Sequence, residues 1–111
     1  YFVPYRGNFT RGIFTSIYMK FDDEIENIKS IYKDFYESHP FTFLSKNDIN
    51  LKEVINTNNC HVNIECHESI IHITTVIDNL LKGASGQAVQ NLNIIFGYEE
   101  SLGLNFKGSI Y

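Results

Sequence analysis

Hydrophobic and polar residues alternate along three stretches of this chain, at residues 13–21, 60–67 and 70–78. A period of two is typical of β-strands that present one face to a core. The second and third stretches are separated only by a short polar turn and therefore predict an antiparallel hairpin. A fourth, short strand is predicted at residues 41–44. The residues predicted to share an apolar strand face are Ile13, Ile17, Met19 and Phe21, then Cys60, Val62, Ile64 and Cys66, then Ile71, Ile73 and Ile77.

Two other stretches repeat their apolar residues at helical spacing and predict helices at about residues 23–36 and 83–96. Asp23 and Glu26 resemble a capping box at the start of the first helix, and Pro40 follows its end. Gly97 is a typical terminating residue for the second. The apolar residues are Ile25, Ile28, Tyr32 and Phe35 in the first helix, and Ala84, Ala88, Leu92 and Ile95 in the second.

The predicted order is strand, helix, strand, strand, strand, helix, with a meandering connection at residues 45–59. This order favours an α+β fold with a mostly antiparallel sheet and helices on one face. Little of the chain remains to cover the other face. We therefore expect the open face to be the surface of a homo-oligomer.

Composition narrows the class of protein. A chain of 111 residues fits one domain, and 43% hydrophobic residues with 14% aromatic residues are typical of a globular protein. A net charge of −4 without a basic cluster argues against a nucleic-acid partner, and the apolar runs are too short to span a membrane. The chain does not begin with Met and has no secretory leader, so we expect a piece of a longer protein. Cys60 and Cys66 are expected to be reduced core residues of a cytoplasmic protein, neither a nucleophile nor metal ligands.

The run at residues 82–91, KGASGQAVQN, is the most distinctive feature of the chain. It follows a predicted strand and turn and opens a helix with very little side-chain bulk, so a flat cofactor or another backbone could approach closely. Gly83 and Gly86 supply that space. Gln87 and Gln90 are interpreted as ordinary polar helix positions, the alternative being buried amides that bridge two domains.

The segment VIDNLLKGASGQAVQNLNIIFG, residues 76–97, resembles the C-terminal signature of N-acetyl-gamma-glutamyl-phosphate reductases. The segments FVPY, residues 2–5, and RGIFT, residues 11–15, resemble a second element of that family. Pro40 with Phe41 and the stretch 54–58 also agree, so the resemblance covers essentially the whole chain. It implies the later part of a glyceraldehyde-3-phosphate-dehydrogenase-like C-terminal domain, with residues 1–111 forming part of a catalytic and dimerisation domain.

The resemblance also implies a chemistry that this chain does not complete. Family members use a Cys nucleophile, a catalytic His and a Rossmann domain that binds NADP, all before the position of Tyr1. The glycines of this chain form no G-x-G-x-x-G fingerprint. The resemblance therefore implies the NADPH-dependent reduction of an acyl phosphate in arginine biosynthesis by the parent enzyme. It also implies that the fragment alone is inactive, and that the helix at about residues 83–96 packs against the Rossmann domain.

By the same resemblance, five residues are candidates for binding. Arg11 and Tyr5 are predicted to contact the substrate, although Arg11 could instead form a structural ion pair and the family often has His at the position of Tyr5. Asn79 is predicted to pair with the nicotinamide carboxamide, the alternative being an Asx turn that caps the next helix. Gly83 is predicted to allow the cofactor to approach. Lys82 is a candidate for a cofactor phosphate, or else an ordinary solvated lysine.

Two other functions remain open at this point. The chain could be a stand-alone α+β module that only dimerises. It could also belong to a related semialdehyde dehydrogenase that reduces an aspartyl phosphate or a carrier-linked amino acid phosphate.

Overall fold

The structure is a computed structural model that describes residues 7–21 and 24–108. Its strands are β1 (Ile13–Lys20), β2 (Thr42–Leu44), β3 (Cys60–His67) and β4 (Ile70–Ile77), and its α-helices are α1 (Ile25–Tyr36) and α2 (Gly86–Ile95). A 3₁₀ turn at Leu51–Glu53 interrupts the connection between β2 and β3, and a π-helical segment at Leu81–Ser85 leads into α2.

The strands form one four-stranded sheet in the order β1-β4-β3-β2. The pairs β1–β4 and β3–β4 are antiparallel, whereas β2 runs parallel to β3. The predicted hairpin of β3 and β4 is confirmed. Its two-residue turn places Glu68 in the left-handed region at φ 57°, and Ile64 lies opposite Ile73 across the pair.

The hydrophobic core lies between α1 and the sheet. It contains Ile28 of α1 with Val62 and Ile64 of β3 and Ile71 and Ile73 of β4, all buried. The alternation of β3 and β4 is what directs these side chains to one face. Helix α1 begins at Ile25, with Glu24 as its N-cap and no side-chain capping bond. Asp23, the first residue of the predicted capping box, lies outside the described residues.

Strand β1 is an edge strand whose eight residues are all exposed. Ile17 and Met19 share the α1 side of the sheet with Ile73 and Ile71, but each is 45% exposed because α1 packs over β2 and β3 and does not reach this edge. The alternation of β1 therefore predicts its conformation correctly. The same alternation does not mean that one face of β1 is buried, since all eight residues of β1 are exposed in the described structure.

The connection at residues 45–59 is irregular, as predicted, yet part of it is buried. Val54 and Asn58 are fully buried and Thr57 nearly so. Asn56 adopts φ 65°, a left-handed conformation in which Asn is one of the tolerated residues. This turn brings residues 54–58 against the end of β4 and the start of α2, and so helps to build the candidate site.

Helix α2 buries its polar side. Its buried residues are Gly86, Gln90 and Asn93, whereas the predicted apolar residues Ala84, Ala88, Leu92 and Ile95 are all exposed. Gly97 follows the helix with φ 71° and ends it, as predicted. The fold class is confirmed: an α+β domain with a mixed, mostly antiparallel sheet. Among the described residues, no helix has the length and hydropathy needed to cross a membrane.

Candidate functional site

A buried carboxylate organises the end of β4. Asp78 is fully buried, and its Oδ1 accepts hydrogen bonds from the backbone N–H groups of Leu80 and Leu81 at 2.8 and 3.0 Å. Its Oδ2 accepts from the backbone N–H of Asn56 at 2.7 Å. Asp78 therefore joins the turn that follows β4 to the turn that precedes β3. The capping role considered for Asn79 belongs to Asp78.

Arg11 completes this arrangement from the segment that precedes β1. Its Nη2 lies 2.9 Å from each carboxylate oxygen of Asp78, and its Nη1 donates to Asn56 Oδ1 at 2.6 Å. The Nε of Arg11 is buried and has no hydrogen-bond partner among the described residues. The alternative of a structural ion pair is thus present in the structure, while substrate binding by Arg11 stays a prediction.

The residues that follow Arg11 and Asp78, namely Gly12 and Asn79, are also joined by a hydrogen bond. The backbone N–H of Gly12 donates to Asn79 Oδ1 at 2.7 Å. Gly12 has φ 115°, and a side chain there would also collide with Leu51 Cδ2. Because a backbone N–H can only donate, it fixes the orientation of the Asn79 amide and leaves Nδ2 as the group that can donate elsewhere. Asn79 therefore presents a hydrogen-bond donor of defined orientation.

Hydrogen bonds hold Asp78 in its ionised form. Burial by itself would raise the pKa of Asp78, but the bonds from the backbone of Asn56 and Leu80, from the Arg11 side chain and from the backbone of Leu81 outweigh it. The pKa of Asp78 is therefore below its ordinary value. The ion pair with Arg11 is consequently intact at neutral pH.

A second polar network holds α2 in place. The buried side chain of Asn58 donates from Nδ2 to Gln90 Oε1 at 3.0 Å, and Gln90 Nε2 donates to Glu100 Oε1 at 2.6 Å. Gly86 lies against Asn58, since a Cβ at position 86 would be 2.2 Å from Asn58 Oδ1. Gln90 is therefore a buried amide, the alternative to an ordinary polar position. Gln87 is partly exposed and donates to Asn91 Oδ1 one turn later.

Lys82 belongs to this network and is not a solvated surface lysine. Its Nζ donates to Gln90 Oε1 at 2.7 Å and lies 5.8 Å from the centre of the Phe41 ring. Burial lowers the pKa of Lys82, and the nearby Cys60 and Glu100 oppose that shift. Burial likewise raises the pKa of the Cys60 thiol, with Lys82 opposing, which argues against Cys60 as a nucleophile.

Gly83 lies at the open side of the π-helical segment and is exposed. A Cβ at this position would meet nothing closer than the Asp78 carbonyl oxygen at 3.4 Å and Ile77 Cδ1 at 3.5 Å, which are ordinary contacts. The described part of the chain therefore does not itself require glycine here. A π-helical turn is also a feature that is frequent at functional sites.

The structure brings four of the five predicted binding residues to one end of the sheet. Arg11, Asn79, Lys82 and Gly83 all lie in or beside the turn after β4, linked by the contacts of Asp78 and Gln90. Tyr5 lies outside the described residues.

Sequence reasoning missed two of the polar residues that assemble this region, Asp78 and Asn58, and gave the burial of Gln90 only as an alternative. The available signals were the Asp that directly precedes the turn, typical of an Asx cap, and the spacing of Gly86, Gln90 and Asn93. That i, i+4, i+7 spacing places the three residues on one side of the helix. A polar side of this kind can be buried in the same way as an apolar side.

Other features of the described residues lie apart from this site. A cavity of about 550 Å³ at the open edge of β2 has Lys29, Lys33, Phe43, Lys46 and Ile64 among its lining and includes none of the candidate residues. The described residues contain no cluster of His, Cys, Asp or Glu able to hold a metal ion, and both cysteines are free.

The sheet face opposite α1 carries a polar and aromatic row. Tyr18 stacks on His72 with ring centres 4.3 Å apart, and Ser16 Oγ lies 2.7 Å from His72 Nε2. Glu65 Oε2 lies 3.9 Å from His72 Nδ1. Tyr18 is 68% and Phe14 50% exposed on this face. We refer to this surface as the open face.

Comparison with known proteins places this architecture. Residues 1–79 match the family model described as semialdehyde dehydrogenase, dimerisation domain. The chain belongs to this semialdehyde dehydrogenase family. The match covers the Arg11–Gly12 segment, the whole sheet and Asp78 with Asn79, whereas the π-helical segment and α2 follow it.

Curated relatives in the semialdehyde dehydrogenase family confirm the resemblance drawn from the sequence. A protein of Karelsulcia muelleri named N-acetyl-gamma-glutamyl-phosphate reductase is 53% identical over 96% of this chain and 33% of its own length. Proteins of the same name from Christiangramia forsetii and Parabacteroides distasonis are 51% and 46% identical over 99% of this chain. The chain spans about a third of the length of these relatives.

Proposed function

We propose that this chain is part of the catalytic and dimerisation domain of an NADPH-dependent reductase that converts N-acetyl-glutamyl 5-phosphate to N-acetyl-glutamate 5-semialdehyde and phosphate, in the cytoplasmic pathway of arginine biosynthesis. The names of the relatives support the reaction. Within the described structure, the observation that carries the proposal is the interlocked contact of Arg11–Gly12 with Asp78–Asn79. This contact puts a candidate substrate residue beside a candidate cofactor residue.

The residues at the turn after β4 fit a nicotinamide cofactor. Asn79 offers an amide donor whose orientation is fixed by Gly12, and such a donor would bond the carboxamide oxygen of the ring. Gly83 is exposed, and because it has no Cβ its backbone surface is open. A flat ring could therefore lie at contact distance from that backbone. NADPH, when bound, supplies the hydride. In this proposal, Asn79 and Gly83 select which face of the ring is presented, and most of the remaining cofactor contacts belong to the rest of the protein.

The overall reaction balances with a thiolate supplied by the rest of the protein. The thiolate displaces phosphate from the acyl carbon to give a thioester, and addition of a hydride followed by loss of the thiolate gives the aldehyde. Neither cysteine of this chain is proposed as that thiolate, because burial raises the pKa of Cys60 and Cys66 bonds the Glu68 carbonyl oxygen. We propose that residues 1–111 alone bind or orient and do not catalyse.

Arg11 is proposed to contact the anionic substrate through the part of its guanidinium that Asp78 and Asn56 do not occupy. Its side chain is 28% exposed, and Arg has five N–H donors. An arginine that is already braced on one side loses less conformational entropy when it binds an anion on the other. Tyr5 is proposed as a second substrate contact, and Lys82 as a contact for a cofactor phosphate.

The exposed side of α2 supports a further part of the proposal. Leu92, Ile94 and Ile95 are 51%, 55% and 77% exposed on a helix whose opposite side is already held by Asn58. We propose that this apolar side packs against the nucleotide-binding domain of the intact protein. The open face of the sheet is proposed as the contact between two copies of the protein, in keeping with the family's description as a dimerisation domain.

The experiment that tests this function is an assay of the intact protein with a panel of acyl phosphates. The proposal predicts that NADPH is consumed, and phosphate released in equal amount, with N-acetyl-glutamyl phosphate. If only aspartyl phosphate or a carrier-linked amino acid phosphate is turned over, the proposed substrate is wrong and the protein is a related semialdehyde dehydrogenase. No turnover with any acyl phosphate, from a protein that dimerises, would favour a non-catalytic dimerisation module.

A further inference from the structure

Asp78 is the carboxylate that connects the candidate substrate residue to the candidate cofactor turn. Its Oδ1 accepts hydrogen bonds from Arg11 Nη2 and from the backbone N–H groups of Leu80 and Leu81, directly after Asn79. A carboxylate has about four acceptor positions, and these contacts together with the Asn56 N–H fill them. Asp78 is fully buried, so none of these bonds competes with water.

A second hydrogen bond joins the same two segments, one residue further along each of them. Arg11 bonds Asp78 through its side chain, and the next residue, Gly12, bonds Asn79 through its backbone. Two consecutive residues of one segment are thus fixed to two consecutive residues of another, 67 positions later in the sequence. A displacement of the Arg11 segment therefore either breaks these bonds or moves Asn79 with it.

We propose that Asp78 is a positioning residue that holds the Arg11 guanidinium and the Asn79–Gly83 turn in one fixed relation, so that substrate and nicotinamide are set at the distance that hydride transfer needs. This inference rests on the proposed function. Asp78 touches neither ligand in it. Misplacement of reacting groups by about 1 Å can cost about a hundred-fold in rate, which gives a rigid brace between the two binding residues a clear advantage.

Asn56 allows the two halves of the brace to be separated. Its side-chain oxygen accepts a hydrogen bond from Arg11 Nη1, whereas its backbone N–H donates to Asp78. Gly accepts the left-handed conformation of position 56, so Asn56→Gly removes the bond to Arg11 and keeps the backbone bond. Asp78→Asn disturbs both halves, because an amide NH₂ then faces groups that can only donate.

The test uses the intact protein and three variants, with two readouts: the Kd for NADPH from fluorescence without substrate, and the KM for the acyl phosphate. We expect Asp78→Asn to raise both constants by about ten-fold or more and Asn56→Gly to raise only the KM. Ile71→Val removes a methyl group from the core on the α1 side and serves as the control for a general loss of stability. It should change neither constant.

The proposal is overturned if folded Asp78→Asn leaves both constants where Ile71→Val leaves them, or changes only one of them. If Asp78→Asn does not fold, Asn56→Gly decides alone, since an unchanged KM would then contradict the brace. The wild-type protein separates this inference from the proposed function. A wild-type enzyme that binds NADPH and reduces the acyl phosphate keeps the function whatever the variants do, and one that does neither removes the function itself.

Discussion

Two glycines three residues apart in the chain have different physical reasons to lack a side chain. Gly86 is buried against Asn58, and the space that a Cβ would take at position 86 is occupied by Asn58 Oδ1. Gly83 is exposed, and the described chain leaves room for a Cβ there. The sequence alone predicts both as places of close approach. It cannot tell which is needed for folding and which for a ligand, because that depends on Asn58, 28 positions upstream in the sequence.

Substitution of these two glycines should therefore separate stability from binding. Gly86→Ala is expected to lower the free energy of unfolding by about 1–3 kcal/mol, the typical cost of overpacking. Gly83→Ala should leave the stability unchanged or slightly higher, because Ala favours helix, and should weaken NADPH binding. Urea unfolding and a fluorescence titration of the intact protein measure the two effects. Equal destabilisation by both variants would contradict this account of the site.

Asn79 offers a substitution that removes the hydrogen-bond donor, keeps the shape of the side chain and adds one negative charge. Asn79→Asp keeps an oxygen for the Gly12 N–H and removes the Nδ2 donor. We expect the Kd for NADPH to rise while the thermal unfolding temperature stays close to that of the wild type. Asn91→Asp, at an exposed position of α2, is the control for the added charge. Unchanged binding in the Asn79 variant would remove Asn79 from the proposed cofactor site.

The buried carboxylate gives the protein a defined acid sensitivity. The pKa of Asp78 is lowered in the folded state from an ordinary value of 3.8, so its contribution to stability is present above that value and is lost as the pH falls through it toward the lower folded-state pKa. We predict that the free energy of unfolding declines below about pH 5, and that Asp78→Asn, already destabilised at neutral pH, declines less steeply. Asp48→Asn, which changes an exposed Asp in a loop, is the control for the loss of one carboxylate. Parallel pH profiles for the wild type and the Asp78 variant would contradict the assignment.

At the scale of elements, the sequence predicts conformation better than it predicts which side of an element is buried. The alternation in β3 and β4 gives both their strand character and their core face, because α1 covers that face. The alternation in β1 gives a strand but no burial, since α1 does not reach it. Helix α2 buries its polar side because Gln90 and Asn93 bond residues outside the helix and Gly86 lies against Asn58. Hydrophobic periodicity contains no information about partners of that kind.

The exposed apolar side of α2 leads to a prediction about the intact protein. Ile95 is 77% exposed here, so Ile95→Asn costs nothing within this segment. If this side packs against the nucleotide-binding domain, the variant should lower the stability of the intact protein by about 1.5–3 kcal/mol, the value of one buried apolar side chain. Thermal unfolding with and without NADPH measures this. A loss no larger than that of Asn91→Asp would mean that α2 faces solvent in the whole protein.

At the scale of the whole molecule, the exposed aromatic side chains on the open face of the sheet point to an assembly of two copies. Phe14 and Tyr18 are the large exposed side chains of β1 on this face, and a carboxylate among apolar and aromatic partners is costly to bury. Phe14→Glu is therefore expected to shift the intact protein from dimer to monomer in sedimentation or light-scattering measurements. Lys33→Glu, on the exposed surface of α1, should leave the oligomeric state unchanged. A dimer that survives Phe14→Glu would place the contact between copies elsewhere.

The fold follows from the sequence, since alternation defines the strands, and the family resemblance marks Arg11 and Asn79 as candidate binding residues. The contacts that join them do not follow from it. Arg11 and Asp78 are 67 residues apart, and one chain contains no signal for such a pairing. Only the three-dimensional structure shows that Asp78, which the resemblance does not single out, connects the two predicted sites.

The proposed function should be tested by measuring NADPH consumption with a fusion that joins residues 1–111 to the part of a related reductase that this chain does not match, such as that of Christiangramia forsetii. We expect the fusion to consume NADPH only in the presence of N-acetyl-glutamyl phosphate, with release of an equal amount of phosphate, and residues 1–111 alone to consume none. A fusion that is folded, binds NADPH and still does not reduce the acyl phosphate would contradict the proposed function.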